Sequence, residues 1–352
     1  MRVAILTFSN TINYGALLQA YALQEVLCSH GFEAEILQYT NTEIEKKEKN
    51  QGISLRKIIK KIVMRGAIDQ KVKAFQTFEN NYITKGKTLS DDNKAIINDY
   101  YDYFITGSDQ VWNMKITHND WTYFLNFVRD NYKKISYAPS FGNETFPEQY
   151  YTKAGDILRS YKAISVREES GSNLISRIIG EKAEVVLDPT LLLDKEYWND
   201  KMKFKPPIDH YILVYFPHDK EKVYAFLKEL QKKTKLPVVY ISISPKIWIG
   251  VKTIYGASPD EFLGWINNAD YVVTGSFHGT AFSLNLEKQF FYEPSGVGSR
   301  IDNLVTITGT KMRSIDNNDV LNTEIDYKEV TPVIQLERDR SIRWLLEALE
   351  VR

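Results

Sequence analysis

The chain has 352 residues, of which 43% are hydrophobic and 26% charged, a composition that excludes a disordered or fibrous protein and suits two globular cores. Lys plus Arg and Asp plus Glu balance at 45 each, so no global charge points to nucleic acid. The lone cysteine, Cys28, excludes an intrachain disulfide, and no His/Cys spacing of metal-ligand type occurs, so no metal is expected.

The opening run from Met1 to Phe8 is too short and too weakly apolar for a signal peptide, and no later run approaches a membrane span. The expectation is a cytoplasmic protein in a reducing compartment. Val3 to Phe8 reads as a buried strand, Ser9 to Gly15 as a polar turn, Ala16 to Leu27 as a helix closed near Gly31, and Glu35 to Tyr39 as a second strand. This is the start of a nucleotide-fold α/β domain, but with one glycine at the turn it lacks the Gly-x-Gly-x-x-Gly fingerprint, so no nicotinamide cofactor is expected.

Residues 41–95 read as a polar, basic insertion, with ten Lys or Arg against two acids between Lys46 and Lys73. Leu55, Ile58, Ile59 and Ile62 share one helical face, and Arg56, Lys57, Lys60 and Lys61 lie elsewhere on the wheel. Such a helix either has a merely solvated charged side, or touches an anionic membrane face or a lipid-phosphate-linked substrate. The α/β rhythm then resumes. Strands over Tyr101 to Thr106, Lys134 to Ala138, Ala163 to Val166 and Ala183 to Leu187 end in Gly107-Ser108-Asp109, Pro139-Ser140-Phe141-Gly142, Arg167-Glu168 and Asp188-Pro189-Thr190. Polar groups delivered from successive strand tips to one rim are expected at a site and needless for packing.

A linker is expected from Asp194 to Asp209, followed by a second domain with strands Tyr211 to Phe216 and Val238 to Ile243 around a helix from Lys220 to Lys232. Ser258, with Pro259 and Glu261 behind it, signals a helix N-terminus. Asp270-Tyr271-Val272-Val273-Thr274-Gly275-Ser276 then repeats Asp102-Tyr103-Phe104-Ile105-Thr106-Gly107-Ser108 almost residue for residue. Two strand-end turns of one design imply two Rossmann-like domains, 1–195 and 210–335, facing across a cleft, with the 336–352 helix (Ile342, Leu345, Leu346, Leu349) crossing back to the first.

The ordered motifs Asn13 to Leu23, Gly107 to Asn113, Ser165-Val166-Arg167-Glu168, Asp188-Pro189-Thr190 and Ser276-Phe277-His278-Gly279 resemble those of the polysaccharide pyruvyl transferase family, from residue 5 to about residue 305. The resemblance implies a two-domain glycosyltransferase-B-like fold. It also implies transfer of the pyruvyl group of phosphoenolpyruvate to sugar hydroxyls, with phosphate released and no cofactor beyond that donor. Arg167 matches the family's arginine and would grip an anionic group of the donor; a surface ion pair with Glu168 or Glu169 is its plainer role. His278 matches the family's histidine and would act as general acid, its plainer role being structural. Gly275, Ser276 and Gly279 would form the donor turn. The family's Ser-Arg-Leu-His pattern lacks its arginine here, and Arg300, behind the flexible Gly296 and Gly298, would supply the charge.

Asp109 is the carboxylate placed to take a proton from an acceptor hydroxyl, or else a cap on the turn at Gln110. Trp112 would stack on a sugar or fill the core. Asn13, Tyr14 and Gly15 would bind acceptor hydroxyls or simply shape their loop. The expected partners are phosphoenolpyruvate and a saccharide acceptor, lipid-linked if the basic helix meets a membrane, with no nucleic acid. A metal-independent nucleotide-sugar glycosyltransferase and a non-catalytic saccharide-binding protein are the alternatives. No Asp-x-Asp pair occurs, which counts against metal-dependent sugar transfer.

Overall fold

The computed structural model describes residues 1–9, 11–41, 65–142, 144–216, 218–242, 251–294 and 299–349. The basic face at 55–62 and the glycines at 296 and 298 lie outside them. Contacts divide the chain into two units, Met1–Lys57 with Glu79–Leu192 and Glu337–Arg352, and Ile58–Phe78 with Leu193–Leu336.

The first unit is built on seven parallel strands: β1 (Arg2–Leu6), β2 (Glu33–Gln38), β3 (Lys85–Thr88), β4 (Tyr103–Thr106), β5 (Lys134–Ser136), β6 (Ala163–Val166) and β7 (Glu184–Val185). Their order is β3-β2-β1-β4-β5-β6-β7, parallel at every pairing. The central strands are buried along nearly their whole length, which is why they read as continuous apolar runs rather than alternating ones. The helix Tyr14–Ser29 is buried on almost every side. Its two interior glutamines are hydrogen-bonded, Gln19 to Thr7 Oγ1 (2.9 Å) and Ala16 O (2.8 Å), Gln24 to Ala34 O (2.9 Å).

The second unit carries five parallel strands: β8 (Ile212–Tyr215), β9 (Val238–Ser242), β10 (Lys252–Tyr255), β11 (Tyr271–Thr274) and β12 (Gln289–Tyr292), in the order β10-β9-β8-β11-β12. Each sheet therefore grows outward in both directions from a central pair, β1 with β4 and β8 with β11. A crevice opens at the carboxyl ends of such a pair, where the flanking connections part.

The repeated heptapeptides occupy equivalent places. Asp102 accepts from Arg2 N at 2.8 Å and donates its own N–H to Arg2 O at 2.9 Å. Asp270 does the same with Tyr211, at 2.9 and 3.1 Å. A carboxylate thus fixes the register of β4 against β1 and of β11 against β8 from the amino end.

Several elements differ from the sequence expectation. The stretch read as a polar, basic insertion contains the helix Arg65–Tyr82 and the edge strand β3, and β10 was not anticipated. Both strands are short and Lys-bearing, as befits sheet edges, and so carry little apolar signal. The expected linker holds a helix, Lys195–Lys201, capped by Asp194 and anchored by a buried Trp198. The helix after β11 begins at Phe277, placing His278 in its first turn. The closing helix, Tyr327–Leu349, ties its second half to the first unit: Arg338 Nε donates to Leu191 O (2.7 Å) and Leu187 N donates to Ser341 Oγ (3.0 Å).

Candidate functional site

In the first unit the crevice between β1 and β4 holds a cavity of about 220 Å³, lined among others by Thr7, Phe8, Ser9, Asn13, Asp109 and Gln110. The chain must leave β4 abruptly to make room for it. Gly107 permits the turn, since a Cβ there would stand 3.0 Å from the Cβ of Thr7. Thr7 Oγ1 donates to Ser108 O (2.6 Å), and Asp109 then adopts a left-handed backbone, φ 82°. Strain of this kind at a non-glycine residue persists only where the surroundings over-determine it, and such positions cluster at functional sites. Here the surroundings are Ser140 N, which donates to Asp109 O (2.8 Å), and Gln110 N, which donates to Asp109 Oδ1 (2.8 Å).

Behind Asp109 lies a buried polar network that unites four of the sequence motifs. Arg167 NH1 contacts Asp188 Oδ2 at 2.9 Å, Arg167 Nε lies 3.6 Å from Glu168 Oε2, and Arg167 NH2 lies 4.0 Å from Asp109 Oδ1. Ser108 Oγ donates to the same Asp188 oxygen (2.8 Å), Thr190 N and Oγ1 donate to the other (3.0 and 2.8 Å), and Ser140 Oγ donates to Glu168 (2.6 Å). Burial pulls the Arg167 pKa down, but Asp188, Glu168 and Asp109 together outweigh it and hold the pKa above the ordinary value. The Arg167 side chain is only 1% exposed. The structure thus turns this guanidinium to neighbouring carboxylates: it pairs with Glu168, and the pair is buried rather than on the surface.

Of the residues expected at the acceptor, Asn13 and Asp109 line the cavity together. Asn13 is also the N-cap of the Tyr14–Ser29 helix, its Oδ1 accepting from Ala16 N. Tyr14 and Gly15 are buried in that helix. Trp112 is fully buried, stacked on Phe124 at 5.1 Å, with its Nε1 donating to Tyr123 O, so its faces are occupied by the core.

In the second unit the equivalent turn, Thr274-Gly275-Ser276, delivers the chain into the Phe277–Asn285 helix. Ser276 is its N-cap, the Oγ accepting from Gly279 N at 3.4 Å, and its backbone N donates to Thr274 Oγ1 at 3.0 Å. Gly279 packs so tightly that a Cβ would fall 2.3 Å from Thr274 Oγ1. His278 is buried to 7% exposure, its ring edge-on to Phe277 at 5.2 Å. The first-turn N–H groups of a helix have no intrahelical partners and, with its dipole, favour an anion. Arg300 is the first residue of the helix Arg300–Ile307, behind the cap Ser299, and not part of a loop.

The sequence reading missed two residues at this turn. His218 Nε2 lies 2.7 Å from Gly275 O, and Glu293, at the end of β12, accepts from His218 N and Asp219 N, both at 2.7 Å. Their signal in sequence is slight: Glu293 directly follows a buried strand, and His218 stands three residues beyond the end of another.

Doubly wound sheets of this order define the class. The chain has the glycosyltransferase-B-type fold: UDP-GlcNAc 2-epimerase from Neisseria meningitidis bound to UDP-GlcNAc matches it with a TM-score of 0.54 at 10% identity, over 99% of each chain. The Methanocaldococcus jannaschii UDP-GlcNAc 2-epimerase in complex with UDP-GlcNAc and UDP matches with a TM-score of 0.51 at 12% identity, over 99% of this chain and 100% of that one. At such identities the likeness concerns the fold alone. No match is found among curated proteins. The protein belongs to the polysaccharide pyruvyl transferase family, whose model matches residues 13–292, and so to a family of transferases. No helix among the described residues is long and apolar enough to cross a membrane.

Proposed function

We propose that this protein transfers the pyruvyl group of phosphoenolpyruvate to hydroxyls of a saccharide acceptor, a cell-surface or exopolysaccharide precursor, forming a pyruvate ketal and releasing phosphate. The observation that carries the reading is the family match over residues 13–292, which spans the motifs that each sheet presents at its carboxyl edge.

The reaction asks for three things. The enol methylene carbon must gain a proton to become a methyl group. Two acceptor hydroxyls must form carbon–oxygen bonds to C2 and give up their protons. The C2–O bond to phosphate must break, the phosphate leaving with the second of those protons. The donor is already activated, so the chemistry draws on no further cofactor. His278, in the first turn of a helix whose N–H groups favour an anion, is the proposed proton donor and phosphate stabiliser. Asp109 is the proposed proton acceptor for the sugar hydroxyl, and Asn13 a hydrogen-bonding partner for the acceptor ring. Among the described residues that line the cavity there is a carboxylate and no Lys or Arg, which suits neutral hydroxyls better than a phosphate. Ser276, Gly275 and Gly279 shape the donor turn, and Arg300 is proposed to add charge to it. Arg167, engaged with three carboxylates, is proposed to act through Asp109 rather than on the donor.

The test is phosphate release from phosphoenolpyruvate in the presence of total saccharide extract, with the product identified by mass spectrometry as a pyruvate ketal. Release of UDP from nucleotide sugars without phosphate release would replace the reading with glycosyl transfer. Saccharide binding without turnover of either donor would replace it with a binding protein.

A further inference from the structure

Beside the acceptor cavity the first unit holds a second one of about 480 Å³, and the two share a wall, Tyr39-Thr40-Asn41. Resting on the reading of that first cavity as the acceptor site, we infer that the second cavity, walled by Ser90, Asp91, Lys94 and His118, is the subsite that seats the next sugar unit of the acceptor.

The shared wall is fixed in place. Tyr39 OH donates to Asp120 Oδ2 at 2.7 Å, and Asn41 Nδ2 donates to the same oxygen at 2.8 Å and to Thr117 O at 2.9 Å. Asp120 Oδ1 takes Thr122 N at 2.9 Å, which closes the loop opposite. On that loop two successive non-glycine residues, His118 (φ 54°) and Asn119 (φ 61°), hold left-handed backbones. Strain in consecutive residues at the edge of a cavity fits a preformed binding surface rather than a casual connection.

The lining also selects the ligand's chemistry. The described lining is mostly hydrogen-bonding side chains, among them Ser90, Asp91, Lys94, His118 and Thr122, with Tyr39 as the aromatic wall. Among the described lining residues the charges are two carboxylates, Asp91 and Asp120, against Lys94, and Lys94 Nζ is held 2.6 Å from Asp91 Oδ1. A phosphate or nucleotide would meet net negative charge from these described residues, whereas a neutral ring dense in hydroxyls finds both donors and acceptors beside an aromatic face. Continuity through Tyr39 to Asn41 makes one ligand spanning both cavities the simplest occupant.

The experiment measures binding by NMR with the full chain. A panel of methyl hexosides and the disaccharides that extend them is titrated against wild type and Asp91→Ala/Lys94→Ala, a double change of two solvent-exposed side chains that leaves net charge unaltered. The inference expects at least one disaccharide to bind about tenfold tighter than its parent hexoside, the gain to vanish in the double variant, and hexoside binding to stay unchanged. The His118 imidazole resonance, assigned by its loss in His118→Asn, should move with the disaccharide and not with the hexoside. No gain on extension anywhere in the panel, a gain that survives in the double variant, or displacement of the His118 signal by UMP would overturn it. Phosphate release from phosphoenolpyruvate separates the two readings: activity retained with no preference for longer acceptors sinks the subsite alone.

Discussion

Replacing Arg167 with methionine removes the cation at the centre of a set of buried carboxylates. Asp188 and Glu168 are 0% and 2% exposed at the side chain, and Asp109 is 11%. Asp188 would keep its bonds from Ser108 and Thr190, but Glu168 would retain only that from Ser140. Breaking a buried ion pair by deleting one partner typically costs ~3–5 kcal/mol, because a charge is left uncompensated. For a unit of this size that corresponds to a drop in melting temperature on the order of 10 °C. The cost is that of charged carboxylates left buried without their cation, so the deficit relative to wild type should be larger at pH 8 than at pH 5. Urea unfolding followed by circular dichroism at pH 5 and pH 8 measures both effects, with separate transitions fitted for the two units. A variant within 1 kcal/mol of wild type at both values, yet unable to bind donor, would refute the argument and return Arg167 to the substrate.

His278→Gln, which keeps a polar side chain of similar reach, should lower kcat by about 10²-fold or more with the fold intact by circular dichroism; near wild-type turnover would remove the proton-donor role. Gly275→Ala should cost ~1–3 kcal/mol and disturb the donor turn, since a Cβ would stand 2.6 Å from His218 Cδ2 and 2.8 Å from Phe216 O; an unchanged melting temperature would contradict it. Lys71 is 4% exposed, and burial drops its pKa to about 8. Because the unfolded chain binds the extra proton between pH 8 and 10.5, stability should rise with pH there, and Lys71→Met should stabilise by up to ~3 kcal/mol at pH 7, with the gain fading by pH 10. Equal urea midpoints for variant and wild type at pH 7 would refute this.

How much of this could be read from the chain depends on whether each feature is local. The strand-end turns, the Ser258 capping box and the repeated heptapeptide are set by neighbouring residues, and each sits where the sequence puts it. The gathering of Ser108, Arg167, Glu168 and Asp188 around one guanidinium is not local, since it joins residues up to 80 positions apart through strand order. From sequence, Arg167 at a strand tip therefore read as a donor ligand or a surface ion pair, and Trp112 as a sugar platform or a core residue. His218 and Glu293 are paired over 75 positions, with no periodicity to announce them. The edge strands β3 and β10 were missed for the opposite reason, because a sheet margin has little apolar content to display.

The aspartates that open β4 and β11 separate two duties along one short segment. By clamping the strand's beginning to its neighbour, Asp102 and Asp270 anchor the alignment at the end opposite the tip. That tip is then free to diverge, and it has: after the same Thr-Gly-Ser, one copy continues into an acid held in a strained backbone and the other into a helix bearing an imidazole. A common chassis with interchangeable endings would let loop residues 108–113 or 276–279 be exchanged between relatives without resetting the sheets beneath them.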